Sequence, residues 1–432
     1  MNTIENRLLE KIIYVENYLN NYFLERADLI SLLLLTIFSR QNMFIMGKPG
    51  IAKSEVVNCV SLVIGNARIF RYLLTKYTTP EEIFGPVSFN ELKKDRFCRK
   101  IENRLADVEI GFLDEIFKGN SSILNCLLMI ANERIYINDT DIIKVPLISL
   151  FGASNEIPDE EEMEELQALY DRFVIKYIAG PIKDFRNFSK LLLSDDALSP
   201  ADKNKLLDLD DLLSIYNESQ KITPDQTIIN LLYKVREYCY ENNYYVSDRK
   251  FKNIIKILKV CAYVNGRSTI IIEDLFILPY MIWEKPEDFP AIQSDINNIL
   301  FEHIFDHILS SISIKISESF TNVIDELINS ANTNYTEFVK CYSYLKQRQK
   351  EDLIIQHKQI REYLYKVTKI VEQLDAQITN YNPKSHLKIL QSIHHTIINT
   401  INNKSAKFID YQNRLSDLNE RIQRALAGDD GC

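Results

Sequence analysis

The sequence predicts an α/β core, a parallel sheet with helices on both faces, followed by an all-helical lid and a long helical C-terminal region. Three observations carry that reading. Short apolar runs at Met43-Phe44-Ile45-Met46, Val108 to Leu113 and Val145 to Phe151 resemble buried parallel strands, and a polar motif closes or follows each. Glycine and proline punctuate the first two thirds, yet no glycine falls between Gly266 and Gly428, and after Pro290 the only proline is Pro383. Near the C-terminus, apolar residues alternate steps of four and three, the spacing of a helical seam.

The first run leads into Gly47-Lys48-Pro49-Gly50-Ile51-Ala52-Lys53-Ser54, and the segment from Ser54 to Ile64 then reads as a helix stopped by Gly65. Strand, glycine loop and helix together make the context in which a phosphate-loop pattern is credible. The loop N–H groups and the helix N-terminus direct partial positive charge at an anion. Lys53 would reach the β- and γ-phosphates, and the Ser54 hydroxyl would ligate Mg²⁺. The strict pattern has glycine just before the lysine, whereas this chain has Ala52. An ordinary Pro-Gly turn is the alternative reading.

The second run ends in Phe112-Leu113-Asp114-Glu115. Two adjacent carboxylates at the end of a buried strand are unfavourable unless a cation sits between them. A nucleotide-bound Mg²⁺ would supply it, with Asp114 facing the ion and Glu115 polarising a water. The third run leads to Ala153-Ser154-Asn155-Glu156, putting Asn155 at the sheet edge where open parallel sheets bind ligands. Its amide would orient a water or touch the γ-phosphate, or simply make a turn.

Two arginines follow. Arg172, in Tyr170-Asp171-Arg172-Phe173, is placed to reach a neighbouring subunit's γ-phosphate, or else to pair locally with Asp171. Arg249, in Ser247-Asp248-Arg249-Lys250, sits in the first turn of a helix that Ser247 would cap and whose apolar stripe runs through Phe251, Ile254, Ile255, Leu258 and Ala262. A cation there opposes the helix dipole, and local rules of that kind are broken most often at functional sites.

With these motifs in hand, the chain resembles a MoxR-type AAA+ P-loop ATPase, closest to the RavA branch. The matching residues are Phe23-Leu24-Glu25-Arg26, Gly47 to Ser54, Thr79 to Pro86, Phe112 to Ile116, Ile123-Leu124-Asn125 and Asn132-Glu133-Arg134. The match continues through Ala153 to Glu156, Leu169 to Phe173 and Val246 to Arg249, and fades after Gly266-Arg267. It implies ATP hydrolysis with Mg²⁺ in a ring, usually a hexamer, that remodels partner proteins, and a partner carrying a von Willebrand factor A domain. By the same resemblance Lys53 and Ser54 hold phosphates and Mg²⁺, Asp114 and Glu115 are the Walker B pair, and Asn155 is sensor 1. Arg172 is then the arginine finger and Arg249 sensor 2, with Phe23 and Leu24 at the nucleotide. A helix-2 insert would span roughly 85–104, with Phe89 and Phe97 lining a pore or packing on the insert's base.

Composition excludes several classes. The 432 residues carry 60 acidic and 51 basic side chains, a net charge of −9, which argues against a general nucleic-acid or anionic-membrane binder. Glu5, Glu10 and Glu16 do not suit a signal peptide, and the apolar run Leu29 to Phe38 is too short to cross a bilayer, so a cytoplasmic location is expected. All six histidines lie at or beyond His303, so the first two thirds have no histidine base or ligand. The seven cysteines show no metal-like pairing. No Asn-Lys-x-Asp motif favours GTP.

The expected domains are 1–188 for the α/β core, 189–290 for the lid and 291–432 for the helical C-terminal region. In that last part Leu353, His357, Ile360, Leu364, Val367, Val371, Leu374 and Ile378 form one seam. Ile397, Ile401, Phe408, Tyr411, Leu415, Leu418, Ile422 and Ala425 form another, an antiparallel coiled-coil arm or a three-helix bundle. This part is either a recruitment arm or a stabilising appendage. The acidic run from Asp159 to Glu165 reads as a solvated loop. Beside the protein remodeller stand two alternatives, a nucleic-acid-translocating motor and a scaffold that assembles on nucleotide without hydrolysing it.

Overall fold

A computed structural model of the chain describes residues 3–158, 166–193, 201–310, 318–340, 346–381 and 385–427. The acidic run 159–165 lies outside them. Nine strands are described: β1 (Met43–Met46), β2 (Ile64–Gly65), β3 (Ile69–Leu73), β4 (Ile110–Asp114), β5 (Ile135–Asn138), β6 (Asp141–Lys144), β7 (Ser149–Ser154), β8 (Ile175–Ile178) and β9 (Leu207–Asp208). Five of them form one sheet in the order β3-β4-β7-β1-β8, with every neighbouring pair parallel. The α/β fold class predicted from the sequence is therefore the observed one. All six β7 residues are buried, as a strand covered on both faces requires.

The first helices are α1 (Thr3–Tyr22), α2 (Ala27–Phe38), α3 (Lys53–Leu62), α4 (Pro80–Phe84), α5 (Phe89–Leu92) and α6 (Ser121–Glu133). Helix α3 stops at Leu62, short of Gly65, because Ile64 and Gly65 leave the helix to pair with Leu207 and Asp208 as β2 and β9. The third strand also begins later than its apolar run suggests. Val145 to Ile148 carry Pro146 and stay outside the sheet, so β7 starts at Ser149. Phe44, Leu113, Ile123, Leu127, Leu150, Tyr170 and Phe173 are fully buried around the middle of the sheet.

Helices α7 (Phe185–Leu193), α8 (Leu209–Gln220), α9 (Gln226–Glu241), α10 (Asp248–Val264) and α11 (Pro279–Ile282) follow. The polar residue before each of α8, α9 and α10 caps it: Asp208, Asp225 and Ser247 accept the N–H of Asp211 (2.8 Å), Ile228 (2.8 Å) and Lys250 (3.2 Å). The remaining helices are α12 (Phe289–Ser310), α13 (Glu318–Lys340), α14 (Lys346–Asn380) and α15 (Lys388–Ala427).

The chain divides into two compact units, Met1–Asn298 with Lys384–Ile393, and Ile299–Pro383 with His394–Cys432. In the second unit the α14 seam buries Leu353, Ile360, Val367 and Leu374 fully, one per heptad, while His357, Leu364, Val371 and Ile378 are only half-buried. Ile397, Ile401, Phe408, Tyr411, Leu415, Leu418 and Ile422 of α15 are buried, and the Tyr411 hydroxyl donates to Asp325 at 2.7 Å.

The first turn of α15 belongs to the first unit, where distant side chains satisfy its free N–H groups. Asn265, just past α10, accepts from His386 and Leu387; Glu16 of α1 accepts from Lys388 (2.9 Å); and Ser31 of α2 accepts from Ile389 (3.3 Å). Leu387, Ile389 and Leu390 are buried beside them. Burial pushes the Glu16 carboxyl from its ordinary 4.5 up to about 7, against the opposing hydrogen bonds from Ser31 and Lys388. A folded pKa above the unfolded one means stability that is full below about 4.5 and lost as pH rises through about 7. Glu16→Gln should flatten this dependence, read from denaturation midpoints across that window. An unchanged slope would show that Glu16 does not set it.

Candidate nucleotide site

Where β1 ends, the chain turns through residues whose backbone geometry favours an open loop. Gly50 lies at φ +81, and a Cβ there would meet nothing within 4 Å, so the backbone on that side stands clear for a ligand. Gly47 is the opposite case, since a Cβ would fall 2.7 Å from the Ala179 carbonyl. Ala52, immediately before α3, takes φ +62. This left-handed conformation explains why glycine is the strict choice there, and alanine carries it at a cost of about 1 kcal/mol. Ala52→Gly should therefore raise or preserve the denaturation midpoint and leave nucleotide affinity within a few fold, checked by calorimetry and a binding titration. A collapse of binding would mean the alanine methyl contacts the ligand.

The loop borders a cleft of about 600 Å³ lined by Pro49 to Glu55, Leu73 to Thr75, Asp114, Glu115, Lys118 and Asn155. Lys53 is 6% exposed, and its ammonium donates to the carbonyls of Gly47 and Ser154 (3.2 Å) and to Asn155 Oδ1 (2.6 Å), all neutral acceptors. Burial lowers its pKa, while Asp114 and Glu115 pull it back up. Asn155 turns its other end to Glu115, donating from Nδ2 to Oε1. Glu115 Oε2 is buried and lies 3.2 Å from Lys118 Nζ without an aligned hydrogen bond. Glu115 itself sits at φ +51, a conformation that a non-glycine residue holds only where its surroundings enforce it. The Ser54 hydroxyl donates to Asp114 Oδ2 at 3.1 Å, which sets a neutral and an anionic oxygen side by side as a hard divalent cation prefers.

These features fit a nucleotide with its metal. A buried ammonium without a direct carboxylate partner stands at a helix N-terminus beside an open glycine loop, and Glu115, paired only with the half-exposed Lys118 through its Oε2, lines the same cleft. Lys118 was not evident from the sequence. Its only signal is its position three residues after Glu115, within a 3₁₀ turn.

The other sequence-predicted residues lie elsewhere. Among the described residues, Phe23, Leu24, Gly47 and Lys48 do not line this cleft. Phe23 is buried edge-on to Tyr22, with ring centroids 4.7 Å apart. Neither Arg172 nor Arg249 is there. They line a second cavity of about 490 Å³, together with Arg40, Asn42, Arg134, Asp171, Lys252 and Lys256.

Sheet register fixes where that second cavity is. Strand β8 runs parallel to β1 with Ile175 opposite Met43, so Arg172, before β8, lies at the amino end of the strands. The phosphate-loop motif follows their carboxyl end, one strand length away, roughly 13 Å. Arg172 Nη1 pairs with Asp171 at 3.1 Å, while its Nε is buried and unbonded. Burial and the neighbouring Arg249 both lower the Arg172 pKa, outweighing the carboxylates of Asp171 and Glu133, which raise it. Lys250 is buried beside them, and burial depresses its pKa as well.

Comparison with known proteins bears on the family. Residues 10–213 match a family model described as the MoxR domain in the MoxR-vWA-beta-propeller ternary systems, and residues 227–296 match an AAA lid domain. An uncharacterized protein of Methanocaldococcus jannaschii is 41% identical over 305 residues, covering 70% of this chain and 78% of its own. A second from the same organism is 42% identical over 293 residues, covering 68% and 76%. A crystal structure from Cytophaga hutchinsonii, named as a candidate ATPase, superposes with a TM-score of 0.53 at 19% identity, covering 68% of this chain and 95% of its own. At that identity it shows the fold alone. No described helix is long and apolar enough to cross a membrane. Phosphate loop, acid pair, helical lid and these matches converge on one assignment: the chain belongs to the MoxR family of AAA+ ATPases.

Proposed function

We propose that this protein hydrolyses ATP in a closed ring of its own copies, a hexamer by family analogy, to remodel partner proteins, and that it works with a von Willebrand factor A domain protein. One observation carries the reading. The glycine loop and acid pair lie at the carboxyl ends of the strands, while Arg172 and Arg249 line a cavity at the amino ends, an arrangement that suits a site shared between copies. Stacking copies edge to edge brings Arg172 and Arg249 of one subunit to the phosphate loop of the next.

In this scheme Lys53 and the loop N–H groups bind the phosphates, and Ser54 and Asp114 hold Mg²⁺, whose charge offsets that of the phosphates. Glu115 takes the proton of the attacking water, and Asn155 holds that carboxylate in place. Arg172 and Arg249 stabilise charge developing on the transferred group. The von Willebrand A partner, and a β-propeller component beside it, are supported by the description of the matching family. The finer resemblance to the RavA branch, the nucleotide contacts of Phe23 and Leu24, and the domain limits 1–188, 189–290 and 291–432 belong to the same proposal.

Steady-state ATP hydrolysis, with particle mass recorded with and without ATP, tests the reading. Turnover together with a nucleotide-stabilised ring is expected, with Lys53→Ala as the non-binding control. Absence of turnover across a range of protein concentrations, with no change in mass, would overturn it.

A further inference from the structure

At the amino end of β1, beside the turn that carries Arg172, lies an amide with every hydrogen-bonding position in use. Asn42 precedes β1 and is 4% exposed. Its Nδ2 donates to the carbonyls of Ala131 (3.0 Å) and Arg172 (3.2 Å), and its Oδ1 accepts from Leu150 N (3.1 Å) and Arg134 Nη2 (2.9 Å). Two donors and two acceptors are the whole capacity of the group. One side chain therefore fastens the end of α6, the start of β7 and the turn bearing Arg172 to the base of β1.

Arg134 is the less ordinary member. It follows α6 at φ +57, a position where helices usually place glycine. Its guanidinium donates to Asn42 and to the carbonyls of Ile130 (3.3 Å), Arg40 (3.3 Å) and Ile148 (3.0 Å), and none of these partners carries a negative charge. Burial and the nearby Arg40 bring its pKa down to about 10. A left-handed backbone at a non-glycine residue and a half-buried cation whose bonding partners are all neutral are both costly, and together they point to a role beyond stabilising the fold.

We infer that Asn42 and Arg134 are positioning residues for the arginine that completes the neighbouring subunit's site, holding the Arg172 carbonyl so that its side chain projects from a fixed base. The inference rests on the proposed trans role of Arg172. Neither residue touches the reacting atoms, and their effect passes through the placement of Arg172. A misplacement of about 1 Å in such a group costs on the order of 10²-fold in rate.

Complementation between subunits tests it. Arg134→Gly removes the guanidinium while supplying the residue that suits φ +57, so the fold is kept, and Asn42→Asp turns both donors into acceptors facing carbonyl oxygens. Each variant should retain nucleotide affinity, since the phosphate loop lies at the other sheet edge, and should lose turnover. In mixed assemblies each should regain turnover with Glu115→Gln, whose arginine is intact, and should not regain it with Arg172→Ala, which shares the same defect. Recovery with Arg172→Ala, recovery with neither partner, or undiminished turnover would each overturn the inference. The control pair Arg172→Ala plus Glu115→Gln separates the two levels. If that pair recovers nothing under proven mixing, the trans role of Arg172 itself fails. If it recovers and the Asn42 and Arg134 variants do not behave as stated, only the positioning role fails.

Discussion

Arg172→Ala should bind ATP almost as wild type does and turn it over roughly 10³–10⁵-fold more slowly, the range seen when an arginine is withheld from a transferring phosphoryl group. Binding is spared because Arg172 lies at the amino end of the strands, away from the cleft that holds Lys53. Stability should change little. The substitution loses an ion pair with Asp171 at 3.1 Å, but it also removes a cation whose pKa is lowered by burial and by repulsion from Arg249. Arg172→Lys keeps the charge without the planar fork and should recover only part of the rate. Single-turnover kinetics with a separate nucleotide titration would separate the two quantities. Turnover within a few fold of wild type would remove Arg172 from the catalytic machinery.

Glu115→Gln should stall the protein with ATP bound, lowering turnover by about 10²–10⁴-fold, the usual contribution of a positioned general base. The change is nearly isosteric. Asn155 Nδ2 can still donate to the remaining carbonyl oxygen, so the link from Lys53 through Asn155 survives. What disappears is a carboxylate able to take a proton, along with an ion pair to Lys118, whose side chain is 46% exposed and whose contribution is correspondingly small. Nucleotide affinity should match or exceed that of wild type, and particle mass in ATP should show the assembled form persisting. Equal loss of binding and turnover would mean that Glu115 supports the loop and does not act as a base.

That Pro49 to Ser54, Asp114, Glu115 and Asn155 fall at strand ends was legible in the sequence because each depends on local order: an apolar strand, then a polar motif at its end. The parallel sheet was legible for the same reason. What could not be read was which motifs share a cleft. Arg172 and Asn42 are 130 positions apart, and they meet only because β8, late in the chain, lies beside β1 in the sheet. The capping of α15 by Glu16 joins positions 372 apart and has no local signature either. The sequence marks Arg249 as a phosphate sensor without showing which cleft it lines, since sequence order carries no information about strand ends. Its place beside Arg172 is a property of the lid's packing. Ala52 departs from the strict loop pattern by a single methyl group, and only the backbone angle shows why glycine would suit that position.

If sites are shared between copies as proposed, the two clefts at opposite strand ends also constrain how those copies associate. A pair related by a two-fold axis would join like surfaces, which would leave each arginine pair away from the other copy's phosphate loop. Contact between unlike edges is head-to-tail, which either closes or continues as a filament. In an open row every member but one finds an arginine donor, leaving a vacant cleft at one end and an idle arginine pair at the other. Closure removes both ends at once, so the last subunit to join completes two interfaces where each earlier one completed a single interface.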